Sequence, residues 1–565
     1  MSAERLRILI LGGYGTFGGR LVRLLADEPR LTLMIAGRSL DKAAAFIGEM
    51  IGAKATLEPV MMDRSGDSGP LLSALNPDLL IDASGPFQDT GPDPYHLVKT
   101  CIALGVCYLD LADATAFVAG ISSLDEAAKE NDVFALSGCS SFPTLSFAAL
   151  AALKPGFASI ETVTSGIAPS PKVRMGLNVV KAVSSYAGKP VALLHDGKPA
   201  TGYGLMDGIR RTIAPPGSIP LNSRRFFLAD APDLVLLPRA LPGLKSTFTG
   251  AGTEPQILQR LLGLCGWLVR LKLLPSLSPF ASLFHRVSHR LAFGENRGGM
   301  FVAVTGTAID DGRLARSWHL IAEGDDGPFI PAMAAEAIVR GWLSGRKPQP
   351  GARPAAGELT LADFAPLFSR FSIRSGIRDD SPSRAAAPLY RRMLAGAWDS
   401  LPSAVAAMHD STATRTVEGR ARVERGTGLL ARITAAIIGF PTDNPDIPVS
   451  VRFECADGRE TWIRTFGETS FRSIQTAGTG RGDHLLAEDF GPFRVLIALV
   501  PDKGRLRLVI RGWRFLGLPL PLFLAPGGET FEEEQDGIFR FHVEITSPLT
   551  GLIVRYTGWL RPQAG

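Results

Sequence analysis

Cysteine is scarce in this sequence and is not arranged as a disulfide framework or a metal site requires. Five cysteines are spread over 565 residues, at Cys101, Cys107, Cys139, Cys265 and Cys455. Secreted domains that depend on disulfides have more cysteines per residue, usually an even number of them, and structural metal sites use closely spaced Cys or His pairs. We therefore expect a protein of the reducing cytoplasm that binds no metal.

An excess of charge of one sign is also missing. The chain has 60 Lys and Arg against 55 Asp and Glu, which gives a formal net charge of +5. Nucleic-acid-binding proteins concentrate basic residues on one face or in one stretch, and this sequence does not. The motifs of serine hydrolases, zinc proteases and P-loop nucleotide hydrolases are absent too. We expect a small-molecule substrate and no nucleic-acid partner.

Long hydrophobic runs are missing as well. The apolar run at 8–11 is too short for the core of a signal peptide, and no run reaches the roughly 18 apolar residues that span a bilayer. Residues 257–293 are rich in Leu, Trp and Phe, but cations interrupt them at Arg260, Arg270, Lys272, Arg286 and Arg290. Two interpretations stay open: a pair of core helices under a substrate pocket, or an amphipathic segment in peripheral contact with the inner face of a membrane.

Clustered glycines follow the first apolar run and predict a nucleotide site. Residues 8–11 indicate a strand, and the apolar spacing after residue 20 indicates a helix. The turn between them is Gly12-Gly13-Tyr14-Gly15-Thr16-Phe17-Gly18. Such a turn holds a dinucleotide pyrophosphate on backbone N–H groups at the positive end of the helix dipole. The alternative is a glycine-rich turn without a ligand.

The end of the second strand favours the phosphorylated cofactor. A strand at 31–36 is followed by Gly37-Arg38-Ser39, where NAD-selective folds usually place Asp or Glu. A guanidinium binds a 2′-phosphate through paired charge-assisted hydrogen bonds, whereas a carboxylate repels it. We therefore expect NADP(H). The alternative for Arg38 is a solvated surface charge.

Two further strand ends complete the predicted cofactor site. A third strand at 59–62 ends at Asp63, which either meets the adenine or belongs to a polar loop. A strand at 79–84 ends with Ser84 and breaks at Gly85-Pro86-Phe87. Because ligands of open parallel sheets bind beyond the carboxyl ends of the strands, this break is expected to border the nicotinamide.

Strands and helices keep alternating up to about residue 150, which predicts a doubly wound parallel sheet over 1–150. This region also contains Ala36-Gly37-Arg38, Ser84-Gly85-Pro86-Phe87, Cys101, Gly105-x-x-Tyr108-x-Asp110 and Gly138-Cys139-Ser140-Ser141-Phe142-Pro143. In this order and spacing the motifs resemble the saccharopine dehydrogenase-like family, and more narrowly its saccharopine-reductase-type oxidoreductases with an N-terminal NADP-binding domain. That family usually has an aspartate in the last motif, which this chain lacks.

The resemblance implies an inserted mixed α/β substrate domain, at 151–377, with a return helix at 331–339. Hydride transfer also needs a proton donor or acceptor near the substrate. Tyr108, Asp110 and Cys139 fall at or just after strand ends on the ligand side. We predict Asp110 as the acid/base, Tyr108 as a donor and Cys139 as a lining residue. Each has a packing role as its alternative.

Alternating polar and apolar residues dominate the last part of the chain. After a Pro-containing joint at 378–388, helices are expected at 403–409 and 429–438 and strands at 449–453, 461–466, 506–510, 539–545 and 551–560. This pattern predicts an antiparallel sheet with helices available to cover it, able to enclose an apolar cavity. Residues 389–561 resemble a bacterial domain of unknown function that is often fused to saccharopine-dehydrogenase-like proteins.

The predicted fold is α/β: an N-terminal Rossmann doubly wound parallel sheet, a mixed α/β substrate domain, and a C-terminal α+β domain with a mainly antiparallel sheet. The predicted function is an NADP-dependent oxidoreductase acting on a carbonyl or imine substrate, with room for a bulky hydrophobic one. The alternative is an NADP(H)-responsive binding protein whose C-terminal domain holds a lipid or other apolar ligand without turnover. Nothing in the sequence sets an oligomeric state.

Overall fold

The computed structural model describes residues 5–88, 91–173, 176–290, 293–456 and 458–562, without the side chains of 178, 258, 288 and 289. The chain divides into two compact units. The first comprises 1–209, 225–311 and 321–373, and the second comprises 210–224, 312–320 and 374–565.

The helices and strands follow in three stretches. The first is β1 (Leu6–Leu11), α1 (Gly18–Leu25), β2 (Leu31–Gly37), α2 (Leu40–Gly48), β3 (Thr56–Met61), α3 (Gly69–Leu75), β4 (Leu79–Asp82), α4 (His96–Ala103), β5 (Cys107–Asp110), α5 (Thr115–Gly120), α6 (Asp125–Glu130), β6 (Phe134–Ser137) and α7 (Ser146–Leu153). The second is β7 (Phe157–Ala168), α8 (Leu177–Tyr186), β8 (Pro190–His195), β9 (Lys198–Tyr203), β10 (Gly208–Arg211), β11 (Arg224–Leu228), α9 (Asp233–Ala240), β12 (Ser246–Ala251), α10 (Gln256–Arg270), α11 (Ala281–Arg290), β13 (Arg297–Ala308), β14 (Arg313–Glu323), α12 (Ile330–Leu343) and β15 (Gly351–Pro354). The third is α13 (Leu361–Phe368), β16 (Ile373–Asp379), α14 (Leu389–Leu394), α15 (Ser403–His409), β17 (Arg415–Arg425), α16 (Leu429–Ile438), β18 (Asn444–Ala456), β19 (Arg459–Phe466), β20 (Thr469–Ala477), β21 (Leu486–Phe490), β22 (Phe493–Asp502), β23 (Arg505–Phe515), β24 (Leu518–Leu520), β25 (Thr530–Gln535), β26 (Ile538–Ser547) and β27 (Gly551–Pro562).

The N-terminal sheet is parallel and doubly wound, as predicted. Its strand order is β15-β6-β5-β4-β1-β2-β3, with β1 parallel to both β2 and β4. The change of direction between β1 and β4 is the switch point at which such sheets bind ligands. The strands next to this point are apolar and buried because helices cover both faces of the sheet.

The seventh strand of this sheet was not predicted. β15 lies parallel to β6, with Gly351 opposite Phe134 and Pro354 opposite Ser137. The sequence around it is polar and proline-rich, which indicates a joint rather than a strand. A proline is tolerated here because β15 is an edge strand. Just before it, the predicted return helix is present as α12, and its Arg340 donates to the Leu24 carbonyl at the end of α1, at 2.8 Å.

A second seven-stranded sheet has the order β10-β11-β12-β7-β13-β14-β16. Its central strands are mixed, since β7 is parallel to β12 and antiparallel to β13. Side chains of α8, α10 and β11 share a separate core around Ala187, Phe227 and Val269. This mixed sheet agrees with the predicted mixed α/β character of the middle segment.

The C-terminal sheet closes on itself. Its order runs from β22 through β21, β20, β19, β18, β17, β27, β26 and β25 to β23 and β24, and β22 also pairs with β23. Ten antiparallel strands therefore form a barrel, with β24 attached to its edge. Side chains of α14, α15 and α16 pack into the same core as the strands. The core is not uniformly apolar, because Glu460, Glu488 and Glu532 are also buried.

Candidate functional site

The glycine turn joins β1 to α1 in a conformation that needs its glycines. Gly12 has φ +77°, and a Cβ there would lie 2.8 Å from the Ala83 carbonyl oxygen on the neighbouring strand end. A Cβ on Gly18 would collide with the Gly12 carbonyl oxygen. Gly15 donates from its N–H to that same oxygen at 2.8 Å, and the turn at Gly15 and Thr16 is exposed. The turn therefore leaves backbone open at the helix N-terminus, as a pyrophosphate site requires.

Tyr14 fastens this turn to the end of β2. Its ring lies over Gly37, where a Cβ would come within 2.5 Å of it. The Ser39 N–H donates to the Tyr14 hydroxyl at 3.1 Å. Phe17 is the residue immediately before α1, and Gly13 packs against Ile35 with no room for a Cβ. The residues predicted around the turn are thus brought together with Gly37 and Ser39.

Arg38 is exposed directly after β2, and its charge acts on Asp63 at the end of β3. The Asp63 carboxylate accepts from the Ser65 N–H at 3.0 Å and the Ser65 hydroxyl at 2.7 Å. These bonds, followed by the charge of Arg38, lower the pKa of Asp63. An exposed guanidinium at this strand end could bind the 2′-phosphate of NADP(H).

The end of β4 is held by two residues that the sequence interpretation missed. Asp82 is fully buried and accepts from the Ser84 N–H at 2.9 Å and hydroxyl at 2.6 Å. Arg64 Nε lies 2.9 Å from the other oxygen of Asp82, and its guanidinium lies 4.4 Å from the centre of the Phe87 ring. The sequence did contain a sign of the role of Asp82, because a carboxylate at the end of a buried apolar strand needs a hydrogen-bond or ion-pair partner. These contacts shape the segment Ser84-Gly85-Pro86-Phe87, in which the Gly85–Pro86 bond is cis.

Tyr108, Asp110 and Cys139, which we predicted as catalytic, all have 0% exposure. One oxygen of Asp110 accepts from the Gly138 N–H at 2.8 Å, the Ala112 N–H at 3.0 Å and the Ser137 hydroxyl at 3.0 Å. Burial raises the pKa of Asp110 to about 7. It also raises the pKa values of the Tyr108 hydroxyl and the Cys139 thiol. The three side chains are therefore buried in the protein, and the hydrogen bonds of Asp110 join the end of β5 to the end of β6.

A second aspartate, three residues further on, lies in the loop after β5. Asp113 is solvent-accessible and accepts from Gln88 Nε2 at 2.9 Å. The protein around it raises its pKa by desolvation, and the negative charge of Asp230 adds to the effect. Both aspartates in turn raise the pKa of Tyr186, after burial as the main cause. Asp113, Asp230 and Tyr186 therefore lie within electrostatic range of one another.

Asp230 is held by a residue of the N-terminal, nucleotide-binding region. Thr115, at the start of α5, donates to Asp230 Oδ1 at 2.6 Å. Sequence reasoning missed Gln88, Asp113, Asp230 and Tyr186. Asp113 had a signal, since it follows a strand end on the ligand side. Asp230 and Tyr186 had none, because only the fold brings the loop after β11 and the end of α8 near the loop after β5.

The parallel sheet, the glycine turn at its switch point and the cation after β2 define a dinucleotide-binding domain of the dehydrogenase type. The comparison with family models agrees. Residues 8–136 match the saccharopine dehydrogenase NADP binding domain, and residues 401–560 match the domain of unknown function DUF4166. The chain thus carries a saccharopine dehydrogenase-type NADP-binding domain at its N-terminus and this second domain at its C-terminus.

Solved structures similar to this chain include several dehydrogenases and reductases. The apo saccharopine dehydrogenase (L-Glu forming) of Saccharomyces cerevisiae is 14% identical, with a TM-score of 0.48, over 66% of this chain and 100% of that one. A probable dehydrogenase of Thermotoga maritima is 11% identical, with a TM-score of 0.33, over 66% and 98% of the two chains. Biliverdin reductase of Synechocystis sp. PCC 6803, in complex with biliverdin and NADP+, is 11% identical, with a TM-score of 0.29, over 61% and 92%. A search of curated protein sequences finds no match to this chain.

Proposed function

We propose that this chain is an NADP-dependent oxidoreductase that acts on a carbonyl or imine carbon, or on the corresponding alcohol or amine. The observation that carries the proposal is Asp113, which is exposed in the loop after β5, beyond a strand end of an NADP-type domain, and whose pKa is raised by desolvation and by the charge of Asp230. A carboxyl group whose neutral form is favoured in this way can hold a proton and pass it to a substrate.

The residues of the glycine turn fit the cofactor. The exposed backbone at Gly15 and Thr16 would hold the pyrophosphate, and Arg38 would hold the 2′-phosphate. The segment from Ser84 to Phe87 borders the nicotinamide side. When bound, the cofactor donates or accepts the hydride at the substrate carbon.

Asp113 supplies the proton that balances this hydride. In the reducing direction its carboxyl proton goes to the substrate oxygen or nitrogen, and the carboxylate is left beside Gln88. The Gln88 amide already donates to it at 2.9 Å, so the charged form keeps a partner. Asp230 adds a second negative charge, which favours an imine or amine, whose nitrogen becomes cationic when it takes up this proton, over an anionic substrate.

We assign Tyr108, Asp110 and Cys139 to this site as positioning residues. Asp110 fixes Gly138 and Ala112 relative to each other through the hydrogen bonds described above. The acid/base role predicted for Asp110 would require a contact with substrate. Its side chain has 0% exposure, which favours the positioning role instead.

The test is oxidation of NADPH by the full chain against a panel of aldehydes, ketones and imines. For Asp113→Asn we expect turnover to fall by about 10²–10⁴-fold, with unchanged affinity for NADPH. Asp311→Asn, at an exposed aspartate in the turn after β13, is the matched control and should keep full turnover. For Asp110→Asn we expect a lower melting temperature together with weaker NADPH binding, which separates a positioning role from proton transfer. Full turnover in Asp113→Asn would refute the assignment.

The alternative is an NADP(H)-responsive binding protein that does not turn over substrate. The closed barrel of the second unit favours it, because closed barrels often enclose ligands. Inside the barrel His409 Nε2 lies 2.6 Å from Glu532 and is stacked under Tyr390, with ring centres 3.8 Å apart. NADPH binding without oxidation by any member of the panel would support this alternative.

A further inference from the structure

Helix α10 has two apolar faces, and only one of them is covered. Leu262, Cys265 and Val269 pack into the core that also contains Tyr186. On the opposite face the apolar side chains recur at helical spacing and stay 41–65% exposed. They are Ile257, Leu261, Leu264, Leu268 and Leu271. A monomeric soluble protein rarely leaves so continuous an apolar stripe in water.

The exposed apolar surface continues beyond the helix. Leu273 is 67% exposed in the turn after α10, and Phe280 and Leu283 are 42% and 49% exposed at the start of α11. Trp267, at 46% exposure, lies at the edge of the stripe. We call the outer side of residues 256–290 the α10–α11 face.

The charges on the α10–α11 face have one sign. Its exposed cations are Arg260, Arg270, Lys272, Arg286 and Arg290. Residues 256–290 contain no Asp or Glu in the sequence. The guanidinium of Arg270 lies 4.0 Å from the centre of the Tyr203 ring and 4.9 Å from that of Trp267. An aromatic and cationic rim around an apolar stripe is the composition of a helix that lies in a membrane interface.

We propose that the α10–α11 face docks on the surface of an anionic lipid bilayer. The leucines would enter the boundary between headgroups and acyl chains, and the cations would meet lipid phosphates. A second copy of this chain fits less well, because a two-fold interface would bring the five cations of one copy close to the same five cations of the other. In the ranges that the structure describes, no helix is long and apolar enough to cross a membrane, so the segment would lie in the plane of the surface.

The proposal also bears on the substrate. The covered face of α10 packs with Tyr186, which lies within electrostatic range of Asp113 and Asp230. The same helix thus carries the proposed bilayer-facing stripe and packs on a residue near the proposed proton donor. If the proposed function holds, the substrate class is a lipid-borne carbonyl or imine compound.

Vesicle flotation of the full chain tests the docking independently of catalysis. The probes are vesicles of phosphatidylcholine alone and of phosphatidylcholine mixed with phosphatidylglycerol. We expect binding to the mixed vesicles only, and binding that weakens as salt is added. The paired change Arg260→Gln with Lys272→Gln should weaken it by about fivefold for each cation removed. The paired change Leu261→Gln with Leu264→Gln should abolish it.

The control is Ile51→Gln with Ile309→Gln, at two residues that are 96% and 77% exposed elsewhere in the first unit. It should bind vesicles like the wild type. NADPH affinity is measured for every variant to show that the first unit is folded. A wild type that fails to float with anionic vesicles would overturn the proposal. So would a leucine variant that changes the oligomeric state in solution while vesicle binding stays the same, since that result assigns the face to a second copy.

Discussion

Two aspartates three residues apart differ in access to solvent, and this difference decides what each can do. Asp110 has no exposed surface and three hydrogen-bond donors on one oxygen. Asp113 has one amide donor and an opening to solvent. Desolvation raises both pKa values, so a perturbed pKa alone does not identify the proton donor. Access to a substrate does.

At the same scale, the glycine turn makes a sharp prediction for stability. Gly18→Ala places a Cβ against the Gly12 carbonyl oxygen, which is backbone and cannot move aside. We expect the free energy of unfolding of the first unit to fall by about 1–3 kcal/mol, the usual cost of overpacking. The measurement is calorimetric melting with and without NADPH.

Gly48→Ala is the matched control for this change. Gly48 is the last residue of α2, and a Cβ added to it would have no other atom within 4 Å. Alanine there should be neutral or stabilising by up to about 1 kcal/mol. Equal melting temperatures for the two alanine variants would show that the turn is not closely packed.

At the scale of elements, local pattern predicted strands from the apolar run or the alternation within each one. The apolar runs of the first sheet and the alternating strands at 539–545 and 551–560 are present, the latter two as β26 and β27 with bounds a few residues wider. The closure of the barrel by β22 and β23 could not be predicted, because alternation sets which face of a strand is buried and not which strand it pairs with. For the same reason the sequence pointed to Asp63 and Arg38 but not to Asp230.

Two histidines give the second unit a predicted dependence on pH. The ring centres of His319, on β14, and His484, after β20, are 5.5 Å apart. Burial lowers both pKa values, that of His484 to about 3. His319 Nδ1 accepts from the Ala214 N–H at 3.3 Å, so its other nitrogen carries the proton and donates to the Ser317 hydroxyl. The folded unit therefore holds both rings neutral.

Below pH 6.5 the unfolded chain binds protons at these rings that the folded unit does not. The free energy of unfolding should therefore fall as the pH decreases from about 6.5 toward 3. Asp380 and Asp483 have raised pKa values and act in the opposite sense. The test therefore compares the wild type with His319→Asn, which keeps an acceptor for Ala214 and leaves both carboxyls in place. Between pH 7 and 4.5 the variant should lose less stability by calorimetry; identical slopes would contradict the assignment.

At the scale of the whole molecule, the two units differ in how they bury polar groups. The first unit has exposed charged groups, Arg38, Asp63 and Asp113, after the carboxyl ends of parallel strands, where a ligand can reach them. The second unit encloses its charges in a barrel, where Arg464 lies 3.2 Å from Glu488 and the Ser473 hydroxyl donates to that carboxylate at 2.7 Å. The first arrangement is typical of a reaction site. The second is typical of a structural network or an enclosed ligand.

Recognition of NADP(H) by the first unit is the claim on which the proposed reaction depends. The most direct test is a titration of the full chain with NADPH and with NADH, for the wild type, Arg38→Ala and Lys54→Ala. Lys54 is an exposed cation before β3, at the amino end of the parallel strands, whereas Arg38 follows the carboxyl end of β2. We predict that the wild type prefers NADPH, that Arg38→Ala loses about 10–100-fold in NADPH affinity and with it the preference, and that Lys54→Ala behaves like the wild type. Equal wild-type affinities for the two nucleotides, or binding of neither, would contradict this claim.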